Sequence, residues 1–255
     1  MLIISSSFLG MGQKVILLDN YYNNEFSENG VVFHHYRWDN EKTSGFSGFG
    51  ELFKDKGCKL LLLHSKPDLY KLNDASVYII VDPDTKEETP NPKFMDRYAA
   101  NAIVCWVKQG GVLLVMANDS GNCDLDSLNL LMSMFDMKFN DEILHLEQSE
   151  PGKPRNFNSC ASINLPDNIL FRNVKKIFIK SVSSISCGLR ATPLLQENGK
   201  TLMAEGSFGK GKVIAIGDPW LYNEYFDHWF LPQDFDNYKA AKNLVDLLIN
   251  NKKGK

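Results

Sequence analysis

Four short apolar runs, each nearly unbroken and each followed by Asp or Asn, constrain the fold of this chain more than any other feature. Val15-Ile-Leu-Leu18 runs into Asp19-Asn20, and Ser76 to Val81 into Asp82-Pro-Asp-Thr85. Val112 to Met116 runs into Ala117-Asn-Asp119, and Val213 to Ile216 into Gly217-Asp-Pro-Trp220. A strand with one wet face alternates apolar and polar residues. A run without alternation is buried on both faces, as in a parallel sheet covered by helices. Lys59 to His64 reads as a further strand.

The segments between them carry helical signals. Gly45 to Lys56 sets Phe46, Phe49, Leu52 and Phe53 on one face, with Ser44 placed to cap its start and Gly57 to end it. A second helix is expected from Asn91 and Pro92 to Gly110-Gly111, with Phe94, Tyr98, Ala102, Cys105 and Trp106 at helical spacing. Leu125, Leu128, Leu131, Met132 and Phe135 mark a third, and Tyr238 to Ile249 a closing one. The order strand, helix, strand, strand, helix, strand, helix predicts an α/β fold.

The second half changes character. Asp141 to Gly188 is irregular, with short β-like runs such as Lys176 to Ile179. Pro193-Leu-Leu195 and Thr201-Leu-Met203 flank Glu197-Asn-Gly199 and predict a hairpin. Gly206-Ser-Phe-Gly-Lys-Gly211 lacks phosphate-loop spacing and precedes a strand, so it reads as a β-turn. No internal repeat or Pro/Ser-rich linker divides the chain, which predicts one domain over residues 13–253.

At 255 residues such a domain needs no covalent staples, and the five cysteines form no C-x-x-C pair. Cys105 reads as buried filler. The balance of 28 basic and 31 acidic side chains, net −3, points to neither nucleic acid nor an anionic membrane. Lys252, Lys253 and Lys255 read as a solvated tail. Residues 1–12, beginning MLIISSSFLGM, read as the apolar end of a signal peptide, with a ragged first strand as the alternative. The first reading places the protein in the periplasm or outside the cell.

In an open parallel sheet, ligands bind beyond the C-terminal ends of the strands. Here those ends and their loops supply Asp19, Asn20, Tyr21, Asn24, Glu25, His35, Trp38, Asp82, Asp84, Asn118, Asp119, Asn122, Asp218, Trp220, Asn223, Glu224 and Tyr225. Carboxylates and amides can bond adjacent sugar hydroxyls, and aromatic rings can stack on a sugar's apolar face. Two carboxylates at the right separation could instead cleave a glycosidic bond. Each residue also has an ordinary structural role to weigh. Asp19, Asp82 and Asp119 could simply form turns, and Asp84 a solvated loop. Trp38 and Trp220 could be core. His34-His35 invites a metal reading, but adjacent residues on an extended chain point to opposite faces. Clustered Asp and Asn oxygens could also hold a hard cation such as calcium or magnesium, although no specific metal or cofactor is called for. No G-x-S-x-G elbow or H-E-x-x-H motif occurs.

This order of elements resembles the class I glutamine amidotransferase-like superfamily. The resemblance implies a flavodoxin-like, amidotransferase-like sheet, mostly parallel, with helices on both faces and a β-rich insertion in the second half. In that superfamily the strand matching Val112–Met116 leads into a turn carrying a nucleophilic cysteine, and the strand matching Val213–Ile216 is followed by histidine and glutamate. Here the first place reads Met116-Ala-Asn-Asp119 and the second Gly217-Asp-Pro-Trp220. Cys123 lies past the turn, and His228 is too far along to serve. Thiol catalysis needs a base beside the thiolate, so the pair that defines amidotransferase chemistry is missing.

The strings Leu18-Asp-Asn-Tyr-Tyr-Asn-Asn-Glu25, Phe33-His-His-Tyr-Arg-Trp38, Tyr78-Ile-Ile-Val-Asp-Pro-Asp-Thr85, Asn118-Asp119 and Gly217-Asp-Pro-Trp-Leu-Tyr-Asn-Glu-Tyr225 carry a closer resemblance. They resemble the amidotransferase-like domain at the C-terminus of bacterial unsaturated rhamnogalacturonyl hydrolase-type proteins. That implies a setting in pectin-type glycan degradation, with a carbohydrate or other small-molecule ligand and a glycan-degrading enzyme as partner. Two alternatives stand beside it. One is a glycan hydrolase using a carboxylate pair drawn from Asp19, Asp82, Asp119, Asp218 and Glu224. The other is a protein-interaction module.

Overall fold

In the computed structural model the described residues are 12–24, 35–148 and 152–250. Residues 1–11, which hold nearly all of the signal-peptide reading, lie outside them, as do His34 and Glu25.

The strands are β1 (Val15–Asp19), β2 (Lys59–Leu63), β3 (Val77–Val81), β4 (Val112–Met116), β5 (Met137–Phe139), β6 (Ala161–Ser162), β7 (Ile177–Phe178), β8 (Ile185–Cys187), β9 (Thr192–Glu197), β10 (Lys200–Phe208) and β11 (Gly211–Ile216). The helices are α1 (Ser47–Lys54), α2 (Leu69–Leu72), α3 (Arg97–Lys108), α4 (Leu125–Ser133), α5 (Asn223–Phe226) and α6 (Asn237–Ile249). The main sheet has seven strands in the order β2-β1-β3-β4-β11-β10-β9. Its first five strands are parallel and the last two antiparallel. The fold is therefore α/β, with a mostly parallel sheet and antiparallel strands from the second half.

Every residue of β3 and β4 is buried, which is why their apolar runs do not alternate. Successive side chains go to opposite layers. Ile16, Leu18, Ile79, Leu114 and Ile214 pack with Phe49 and Phe53 of α1 and with Leu244 and Leu248 of α6. Leu17, Tyr78, Ile80, Leu113 and Val115 pack with Ile103 and Val107 of α3 and with Leu128 and Met132 of α4. Helices cover both faces. The β9–β10 hairpin turns through Asn198 (φ 49°) and Gly199 (φ 75°), the left-handed pair that matches the twist of the flanking strands.

Three local expectations are corrected. The second helix begins at Arg97, not at Asn91-Pro92, and Asp96 caps it by accepting from the Ala99 amide at 2.8 Å. Before it, the Met95 amide donates to Ser127 Oγ, holding this stretch against α4. Ser44 does not cap α1. It has φ 60°, and its amide donates to Glu224 Oε2 at 2.8 Å. Cys105 is exposed, whereas Trp106 on the next position is core.

Candidate functional site

The strand order reverses at β1, which has β2 on one side and β3 on the other. Beyond the C-terminal ends of β3, β4 and β11 lies a cleft of about 220 Å³. Segments far apart in sequence build it. The loop after β1 brings His35, Tyr36 and Ser44, β3 leads to Asp82 and Glu88, and β4 to Asn118 and Asn122. Lys180 and Ser181 come from the irregular second half, and Tyr222, Glu224 and Tyr225 follow β11.

Asp82 is the hub of this arrangement. It sits at the end of β3 with φ 44°, a left-handed conformation uncommon outside glycine. Its amide is tied to the Met116 carbonyl (2.8 Å), and its carbonyl accepts from Asn23 Nδ2 (2.7 Å). Its Oδ2 accepts from Tyr36 Oη at 2.5 Å and from Asn118 Nδ2 at 3.1 Å. Tyr36 Oη also lies 3.1 Å from Tyr222 Oη. Burial, then Asp82 and Tyr222, hold the Tyr36 phenol well above its ordinary pKa, so it stays a proton donor. The Asn118 carbonyl accepts from Ser183 Oγ at 2.6 Å, which locks the second-half loop onto the end of β4.

Asp218 is buried beside this site. Its Oδ2 accepts from the Lys180 amide at 3.2 Å, while Oδ1 has no hydrogen-bond partner among the described residues. Burial raises its pKa to about 8, against the lowering effect of the Lys180 amide and charge and of His145.

The structure divides the sequence candidates. His35, Asp82, Asn118, Asn122, Glu224 and Tyr225 line the cleft together. Asp19 makes its own turn, accepting from the Tyr21 and Tyr22 amides and from Tyr78 Oη, and burial lifts it to about 6. Asn20 donates to the Asn23 carbonyl, Asn24 donates to the Tyr21 carbonyl, and Asp84 accepts from the Asn24 amide. Asp119 accepts from the Gly121 amide and Asn122 Nδ2. Trp38 packs on Phe49 and Phe53 and donates to the Leu61 carbonyl. Trp220 is 1% exposed in the core. Neither indole offers a ring face for stacking. Asn223 is a clamp, donating to the Asn40 and Lys42 carbonyls and accepting from the Gly48 amide. Sequence reasoning missed Ser44, Glu88, Lys180, Ser181 and Tyr222. Lys180-Ser181 follow a two-residue strand that lies outside the main sheet, so the rule that marked the ends of its parallel strands does not reach them.

At the turn after β4, Cys123 is buried, and burial and then the Asp82 charge push its thiol well above the ordinary value. A nucleophilic thiolate requires the reverse. A larger cleft of about 1000 Å³ opens at the other end of the strands, between Lys14, Trp106, Gly111 and Leu248. Among the described residues that line it none carries a carboxylate, so the polar cleft is the candidate site.

Neither a protein-family model nor a curated protein sequence matches the chain. Solved structures do. The mmIFT52 N-terminal domain superposes with a TM-score of 0.68 at 13% identity, covering 95% of this chain and 100% of that one. Cytoplasmic protein STM3548 from Salmonella typhimurium gives 0.55 at 15% identity, covering 91% and 98%. A cold-adapted β-galactosidase from Rahnella sp. R3 gives 0.54 at 12% identity, covering 95% of this chain but 32% of the enzyme. The fold these share is class I glutamine amidotransferase-like; it occurs as an N-terminal domain, as nearly the whole of a bacterial protein and as about a third of a glycosidase. At such identities the shared property is the path of the backbone.

Proposed function

We propose that this protein holds a small, hydroxyl-rich ligand, a sugar unit, in the cleft over β3, β4 and β11, as an accessory module in pectin-type glycan degradation. One observation carries the reading. Carboxylates, amides, tyrosines and a lysine from five chain segments converge on one open cavity at the strand ends, around an Asp in left-handed backbone. Unusual backbone of this kind clusters at functional sites. The cavity is smaller than the ~300–1,000 Å³ of sites for drug-sized molecules, which suits one sugar ring. The resemblance of the Asp19, Asp82 and Asp218 strings to a domain of rhamnogalacturonyl hydrolase-type proteins supports a glycan setting. So does the occurrence of this fold within a β-galactosidase. In this reading a glycan-degrading enzyme is the partner and the periplasm or cell exterior the site of action.

A second reading is a hydrolase, favoured by Asp82, Glu88 and Glu224 facing one cavity. Asp82 and Glu224 are the members of the expected carboxylate set that line it.

One experiment addresses both. Galacturonate, galactose and their oligomers are titrated calorimetrically into the wild type and Asn118→Ala, and the mixtures are assayed for released reducing ends. The accessory reading expects saturable heat in the wild type, weakened ~5–30-fold in Asn118→Ala by loss of a polar contact, without turnover. Flat titrations with every sugar overturn it. Turnover abolished by both Asp82→Asn and Glu224→Gln replaces it with the hydrolase.

A further inference from the structure

Tyr225, on the cleft wall, is held rigidly. Arg155 Nη2 donates to its hydroxyl at 2.8 Å, and Phe178 packs on its ring at 4.8 Å between centroids. The chain leaves the wall through Asp227 and folds back at once, because the Phe230 amide donates to the Glu224 carbonyl at 3.2 Å. That bond sets Phe230 edge-on against Tyr225, with centroids 6.2 Å apart. The Trp229 amide is fixed in turn by Asp227 Oδ1 at 3.2 Å. Both rings nevertheless face outward, Trp229 being 57% exposed and Phe230 47%. Single exposed aromatics are ordinary, but Phe230 packs on a residue that lines the polar cavity, and the exposed Trp229 precedes it in the same turn.

We propose that Trp229 and Phe230 form a second subsite, a stacking shelf for the next ring of an oligosaccharide whose first ring occupies the cleft. The inference rests on the cleft reading and extends it from one sugar unit to a chain. The chemistry fits. A pyranose presents polar hydroxyls around its edge and apolar C–H groups on its face. The edge suits the carboxylates and amides of the cleft, and the face suits an exposed indole or phenyl ring. The cavity has little room for more than one ring, so a longer ligand must leave across its rim. Phe230, bonded through its amide to the Glu224 carbonyl and packed on Tyr225, stands beside that rim.

The test is a chain-length series. Mono-, di- and tetrasaccharides of galacturonan and of β-1,4-galactan are titrated into the wild type, Trp229→Ala and Phe230→Ala, all with thermal melts to check folding. The proposal expects affinity to rise with length in the wild type. The variants should lose ~3–10-fold on the tetrasaccharide, the worth of one aromatic contact, with monosaccharide affinity unchanged. Monosaccharide binding with no gain in length, or a gain that survives in both variants, overturns the shelf and leaves the cleft reading standing. No binding by any sugar overturns both.

Discussion

Asp218 concentrates the electrostatic cost of this site. Its folded pKa of about 8 lies far above the ordinary 3.8 because burial disfavours its charge. The folded state therefore keeps a proton that the unfolded chain releases above its ordinary pKa. Its contribution to stability is full below about pH 4, declines as pH rises, and levels off beyond pH 8. A tenfold difference in proton affinity between the folded and unfolded chain is worth ~1.4 kcal/mol, so the decline amounts to several kcal/mol. Asn is a neutral near-isostere and can still accept from the Lys180 amide. Asp218→Asn is expected to melt higher than the wild type at pH 8, with the gap shrinking toward pH 4. Melting curves across that range check this, and parallel pH profiles for the two proteins would refute it. Asp19 titrates in the same sense, to about 6, and remains as background in both.

At the scale of elements, sequence and structure agree where burial is local and part where it is not. The strands were legible because β1, β3, β4 and β11 are sandwiched, and burial on both faces removes alternation. The hairpin was legible because Asn198-Gly199 accepts left-handed backbone. The start of α1 was not. Its cap comes from Asn223, whose Oδ1 accepts from the Gly48 amide at 3.0 Å across 175 residues, and no local pattern encodes such a partner. The site was partly legible for the same reason. The Asp and Asn after each strand marked the correct edge of the sheet, but only the folded chain separates Asp82 in the cleft from Asp19 in its own turn. Nor could sequence tell buried Trp220 from exposed Trp229, since both sit in polar, aromatic-rich segments. Asn223→Ala removes the α1 cap and two partly buried clamps on the 40–42 loop. It is expected to cost ~1–3 kcal/mol, read as a melting point lowered by several degrees. An unchanged melting point would show that the clamp is not a stabilising contact.

On the scale of the whole molecule, a class I glutamine amidotransferase-like fold carries an oxygen-rich cleft. The turn after β4 presents Asn118 to Asp82 instead of a cysteine to a base. The turn after β11 buries Asp218 and Trp220 and then sends Tyr222, Glu224 and Tyr225 to the cavity. The antiparallel and irregular second half contributes Lys180 and Ser181, so the site forms only when both halves of the chain are in place. Backbone amide spectra recorded while galacturonan or galactan tetrasaccharide is added test this account most directly. It predicts saturable shifts confined to the loops carrying Tyr36, Asp82, Asn118, Lys180 and Glu224, extending to Trp229 and Phe230. Shifts confined to the opposite end of the strands, around Gly110 and Leu248, or no shifts with either sugar, would contradict it.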